Sequence, residues 1–384
     1  MRHTATFALI ILMMASGSAR AQAQAPGAFP PCVPTGQPAL GAPAAPAPAG
    51  VPPAGAPAGG GAAARTPRDL TIVGIPGVVN AGSTWTKVWQ AGGNSADGIL
   101  PDKDGNMLVA QEDFDSVLRL DARGGTSVAV TAAKGVGSLS MDRQGRLYGA
   151  HRTERPGSTK PDRDQIVNAI TMLAPERRTI ADKWADGTPL SVRPNDLAAD
   201  SQGGAYFTSG CVYYASPAGT VSVVAENLRT NGILFSLDDK TLFVTNGGGG
   251  GVKPTLVAFD VVGPGRLAGR RDFATLDAGT GDGLALDADG RIYVTSNPGV
   301  QVFDKTGKYL GLIPTPRAVI SVGFGGRDKQ TLWVVGSGAD DENNQPIRQG
   351  PQQTAATVYS LPMVAKGIRS EEHTSELQSL RHLV

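Results

Sequence analysis

Asp97, Asn195, Asn231 and Asp282 share one place in a recurring segment, immediately ahead of a short apolar run, where a core strand would carry an apolar side chain. The other two copies of the segment put Gly137 and Ser321 there. Two buried carboxylates brought to one point repel unless a cation or a shared proton lies between them. Their oxygens suit one hard divalent cation, Ca²⁺ first, with Mg²⁺, Mn²⁺ or water-supplemented Zn²⁺ as alternatives. Asn-Gly and Asp-Gly are also common turn dipeptides, so a single copy would be read as structural. It is the recurrence at one repeat position that favours a ring of ligands. Asp102, Asp142, Asp200 and Asp287 recur even more regularly, but they open Asp-x-x-Gly turns at the other end of the strand. An Asx hydrogen bond to the backbone accounts for them, and no chemistry is assigned.

Other hydrolytic chemistries find little material. Within the domain only His151 remains, so a multi-histidine zinc site and a histidine-driven triad are both hard to build. There is no G-x-S-x-G, no H-E-x-x-H and no P-loop; the run of glycines at 247–251 lacks a following Lys-Ser/Thr. His151, at the end of a strand, reads as a surface or rim residue.

The elements that must carry the ring repeat six times: ADGILPDKDGNMLVAQ, VGSLSMDRQGRLYGAH, PNDLAADSQGGAYFTS, TNGILFSLDDKTLFVT, GDGLALDADGRIYVTS and ISVGFGGRDKQTLWVV. Each reads as a short strand, a polar turn and a second strand, and a third strand such as SVLRLD or TLVAFDV follows. Five copies add a fourth. Regular short strands without an amphipathic helix predict an all-β domain, a six-bladed β-propeller. The sixth copy stops after its third strand, and the orphan TWTKVWQA at residues 84–91 is expected to supply the missing edge and close the ring. The first strand of each blade then lines a central channel, with the oxygen-bearing residues at its mouth.

Residues 1–23 have the layout of a signal peptide, with early charge, an apolar run and small residues before an Ala-x-Ala site. No later run approaches the roughly 18–20 apolar residues of a membrane span. A periplasmic or secreted protein without stable membrane insertion is expected. Residues 24–67, almost entirely Ala, Pro and Gly, read as a disordered tether. The propeller occupies residues 68–368. Residues 369–384 read as a non-native tail, because RSEEHTSELQS matches the conceptual translation of a sequencing adapter. Cys32 in the tether and Cys211 in the domain either pair or leave Cys211 buried and free. With 35 Lys plus Arg against 34 Asp plus Glu, no charge footprint for nucleic acid exists. A monomer is expected.

The segments RPNDL (residues 193–197), RTNGILFSLDDKTLFVTN and GDGLALDADGRIYVTS resemble the senescence-marker-protein/gluconolactonase family, the regucalcin-like six-bladed lactonases. The resemblance runs from about residue 69 to 367, with the three segments in the family's order. It implies a divalent metal held by Asp97, Asn231 and Asp282, with Asp282 also the general base, and hydrolysis of sugar-type lactones. It further implies that Arg193 and Asn195 hold substrate hydroxyls. Where the family has Glu-Gly-Pro this chain has Asp97-Gly98-Ile99, a carboxylate shorter by one methylene. The expected function is an exported metal-dependent lactonase acting on a small lactone or ester. The alternatives are a propeller that binds a metal or small ligand without turnover, and an esterase of another substrate range. The segments at 152–165 and 337–355 are long enough to lid the channel.

Overall fold

The computed structural model describes Cys32 and residues 68–90, 97–152, 167–248, 253–343, 345–347 and 355–368. Apolar runs rich in Val, Leu, Tyr and Phe, punctuated by Gly and Asp, form strands throughout, and no helix occurs among the described residues. An isolated leading strand, β1 (Thr86–Gln90), is followed by the first blade: β2 (Ile99–Pro101), β3 (Met107–Gln111), β4 (Ser116–Leu120) and β5 (Thr126–Thr131). The second blade is β6 (Val136–Met141), β7 (Leu147–His151), β8 (Ala169–Ala174) and β9 (Arg178–Ala181). A two-residue strand, β10 (Lys183–Trp184), then runs parallel to the start of β13 (Thr220–Phe235).

The third and fourth blades share one hydrogen-bonded sheet built on β11 (Leu197–Ala199), β12 (Ala205–Ala215), β13, β14 (Thr241–Asn246), β15 (Thr255–Gly263) and β16 (Arg266–Thr275). β12 pairs with β11 through residues 205–207 and with β13 mainly through 212–215, and it turns at Gly210, φ +77°. β13 in turn serves β12 with its first half and β14 with residues 230–235, broken by Asn227 at φ +60°. Divided at these two residues, the sheet gives two blades. The fifth blade is β17 (Leu284–Leu286), β18 (Ile292–Thr295), β19 (Gly299–Phe303) and β20 (Tyr309–Pro314). The sixth is β21 (Val319–Gly325), β22 (Thr331–Ser337) and β23 (Ala356–Pro362), completed by β1 in the order β1-β23-β22-β21. The orphan strand closes the ring as its sequence implied, pairing Thr86 with Ser360 and Gln90 with Thr357.

Packing confirms the count. Six apolar clusters each lie between consecutive blades. Leu108, Ala110 and Val117 meet Val136 and Leu147 between blades one and two. The ring shuts where Met107 and Val109 of the first blade meet Trp333 and Val335 of the sixth. Both faces of every blade are therefore covered, which is why the strands read as continuous apolar runs rather than alternating ones.

The Asp-x-x-Gly turns behave as read. Asp142 Oδ1 accepts from the backbone N–H of Gln144 and Arg146, both at 2.9 Å. Asp287, fully buried, does the same for Asp289 and Arg291, and its Oδ2 takes the Tyr293 hydroxyl at 2.9 Å.

Of the two alternatives left open for the cysteines, the structure has the pair: Cys32 forms a disulfide with Cys211, 179 residues away, with the Cα atoms 5.6 Å apart. It is buried among Leu190, Val192 and Tyr213, whose hydroxyl donates to the Cys32 carbonyl. Packing anchors this one point of a segment whose composition alone has nothing to bury. The rest of the tether, the leader at 1–23, the tail at 369–384, residues 153–165 of the first proposed lid and 344 and 348–354 of the second lie outside the described residues. Among the described residues no helix is long and apolar enough to cross a membrane.

Candidate active site at the channel mouth

The glycines following the mouth residues explain how distant side chains converge. A methyl group on Gly98 would lie 2.8 Å from Ser138 Cα, and one on Gly283 would lie 2.8 Å from the Ile320 carbonyl; one on Gly232 would overlap the Asp282 carbonyl. Neighbouring inner strands therefore touch backbone to backbone, and Gly98 N–H donates to the Gly137 carbonyl at 3.0 Å while Gly283 N–H donates to Ile320 at 2.9 Å. The side chain just ahead of each glycine is drawn toward the axis. Asp-Gly and Asn-Gly here serve close approach rather than a turn. Below the mouth runs a cavity of about 250 Å³, lined by Ser138, Asp196, Leu197, Ile233 and Gly283 among others and bounded at the turn end by Arg143, Leu237 and Ile368.

Most of the residues read from the sequence meet. Asn195 Nδ2 donates to Asn231 Oδ1, and the Asn231 amide in turn hydrogen-bonds the Asp282 carboxylate. Burial, and after it the negative charges of Asp97 and Asp196, hold the Asp282 carboxyl well above the usual carboxylate range; Arg152 and the Asn231 hydrogen bond act the other way. Asp97 Oδ2 accepts from the guanidinium of Arg152. Arg193 donates to Glu112. Ser321 stays out of the ring, its hydroxyl accepting the Ile99 N–H at 3.3 Å. Among the described residues no group of three or more His, Cys, Asp or Glu is arranged to hold a metal, so any ligand set must draw on the amides.

Three residues of the site were not singled out from the sequence. Glu112 lies just past β3, and Arg152, read as the start of a lid, is instead 4% exposed within the site. The third is Asp196. Its Oδ1 accepts from Ser138 Oγ and from Leu197 N–H at 2.9 Å, and its Oδ2 from Ile233 N–H at 3.3 Å, so one carboxylate laces blades two, three and four together. A signal existed: in RPNDL an Asp stands where the mouth pairs at Asp97, Asn231 and Asp282 have Gly. His151, read as a surface or rim residue, is half-buried at the end of β7, its Nδ1 2.9 Å from the Lys134 carbonyl, and burial lowers its pKa.

Burial pushes the Asp196 carboxyl up from 3.8 to about 6 despite its three donors. The folded state therefore binds a proton that the unfolded state has released between these values, and stability falls as pH rises through that window, then levels above it. This contribution amounts to about 3 kcal/mol at most. Asp196→Asn is expected to remove that part of the slope in urea unfolding curves taken from pH 4 to 7; parallel curves for wild type and variant would refute the assignment.

Comparisons with known proteins bear on the family and the fold. A family profile described as the SMP-30/gluconolactonase/LRE-like region matches residues 113–338. A lactonohydrolase of Aspergillus oryzae, oryH, is 32% identical over 148 residues, 33% of this chain and 32% of that protein. A gluconolactonase of Zymomonas mobilis is 28% identical over 172 residues, 38% of this chain and 48% of that protein. The chain thus spans less than half the length of these curated relatives. A gluconolactonase structure from Xanthomonas campestris superimposes with a TM-score of 0.56 at 25% identity, covering 73% of this chain and 90% of that one. The calcium-binding protein regucalcin from Agrobacterium tumefaciens shares the fold, with a TM-score of 0.51 at 18% identity over 73% of this chain and 96% of its own. The six interlocked blades, the oxygen-lined mouth and a profile match across more than half of the sequence lead to one conclusion: this chain belongs to the SMP-30/gluconolactonase/LRE-like family.

Proposed function

We propose that the protein is an exported, monomeric, metal-dependent hydrolase that opens small lactones of the sugar type. The observation that carries this reading is the placing of Asp282, a carboxyl held well above its usual range, against Asn231 and beside Asp97 at the channel mouth. Such a group, once ionised, is a stronger proton acceptor than an ordinary carboxylate.

The mouth suits a divalent cation. Among the described residues its carboxylates Asp97, Glu112, Asp196 and Asp282 meet the guanidinium groups of Arg152 and Arg193, an excess of negative charge when all are ionised. Asp97, Asn231 and Asp282 would hold the ion through hard oxygens, Ca²⁺ fitting best. Bound there, it would polarise the lactone carbonyl and make a water more acidic. The residues of the chain do the rest. Arg193 and Asn195 orient the ring through its hydroxyls. Asp282 takes a proton from the attacking water as its oxygen bonds to the carbonyl carbon. The ring C–O bond then breaks, and that proton passes to the departing alkoxide, so lactone and water yield a hydroxy acid.

A second reading has its own support. Asp97, already the shorter carboxylate, is engaged by Arg152, which favours a weak cation site and a propeller that binds without turnover. A pH-stat panel of aldonolactones, aryl esters and acyl lactones, run with and without EDTA, separates the readings. Turnover of aldonolactones that disappears with chelator is expected. Ester turnover alone would move the assignment to an esterase, and bound metal with no turnover of any substrate would sink it in favour of the binder.

A further inference from the structure

The second blade's place in the ring is blank in the sequence, because Gly137 has no side chain. In the structure the guanidinium of Arg152, just beyond β7 of the same blade, fills it. A methyl group built on Gly137 would overlap Cζ and Nη1 of Arg152. Nη1 donates to Asp97 and, at 3.0 Å, to Glu112 Oε2, while Nη2 donates to the Asn195 carbonyl. Glu112 is 5% exposed, and its second oxygen, Oε1, accepts from Arg193 Nη2. One buried carboxylate thus bridges a fully enclosed arginine and a partly exposed one.

We propose that Glu112 is a positioning residue for Arg193, seated by Arg152, and that Gly137 lacks a side chain so that Arg152 can reach its seat. Arg193 lies on a segment without regular structure ahead of β11, so side-chain contacts rather than a strand ladder must hold its long side chain. A charge-assisted bond to a fixed carboxylate supplies such a contact before substrate arrives. The carboxylate itself can be buried because two guanidinium groups compensate it. The effect on turnover rests on the lactonase reading above.

Glu112→Gln keeps the shape and removes the charge. It is expected to raise KM for glucono-1,5-lactone about tenfold while kcat changes less than about threefold. Gly137→Ala is expected to act in the same direction, because its methyl displaces Arg152. The double variant is expected to be no worse than Glu112→Gln alone, as for residues in one network. An unchanged KM in Glu112→Gln, or effects that multiply in the double variant, overturns the proposal. If Gly137→Ala does not fold, Arg152→Gln takes its place with the same expectations. If the wild-type chain turns over no lactone, the proposed function falls and the tie is read without substrate. Phenylglyoxal modification of Arg193, followed by mass spectrometry, is then expected to run about tenfold faster in Glu112→Gln than in wild type; equal rates overturn the proposal.

Discussion

Asp282→Asn is expected to lower kcat for lactone opening at least about a hundredfold, the scale of a lost general base. Asn has nearly the volume of Asp and retains an oxygen for the Asn231 amide, so the mouth should keep its shape. What disappears is proton-accepting capacity. In the wild-type chain, burial and the nearby charges of Asp97 and Asp196 raise the Asp282 pKa. The reactive form is the carboxylate, so activity is lost as pH falls through the Asp282 pKa, which a cation bound beside it would draw down from its metal-free value. The wild-type kcat profile should therefore show an acid limb, and the residual activity of the variant should lack it. Calorimetric titration with Ca²⁺ alone, on both proteins, checks that the substitution has not simply emptied the site. Near-wild-type turnover in a variant that still binds the ion would remove Asp282 from its role.

The fold was legible because its signals are local and repeated. Each Asp-x-x-Gly turn announces a hairpin, and six hairpins at one spacing leave few architectures other than a propeller. The closing strand was legible for a different reason: TWTKVWQA had no partner until the sixth blade proved short by one. At the site, Asp97, Asn195, Asn231 and Asp282 were found because repetition puts them in register. Arg152 and Glu112 share a repeat position too, but its other copies hold Gly210, Asn246, Asn297 and Gly336, so no common residue type marks the column. Each stands just beyond the end of a second strand, and their meeting depends on the gap left by Gly137 and on how two blades pack, information that only the three-dimensional arrangement holds. Asp196 was hidden in plain view beside Asn195, because an acidic residue next to a turn-prone amide reads as part of a turn. The three donors that surround it show otherwise.

The Cys32–Cys211 bond is expected to stabilise the protein more than any other single contact. It closes a loop of 179 residues, and the chain-entropy account assigns about 5 kcal/mol to a loop of that length, an upper figure because denatured chains retain structure. Cys32→Ser should therefore lower the urea midpoint sharply, and a reducing agent should do the same to wild type while leaving the variant unchanged. Position makes the consequence functional as well. Cys211 offers its carbonyl to the Thr230 hydroxyl at 2.9 Å, one residue ahead of Asn231, and Leu190 and Val192, packed in the same cluster as Cys32, lead directly into Arg193. Loosening the bond frees the backing of both the amide and the arginine, so KM for lactone should rise on reduction before global unfolding sets in. Identical denaturation curves for wild type with and without reductant would show that the bond carries none of this load, and the anchoring of the tether would then rest on Cys32 burial and the Tyr213 hydrogen bond alone.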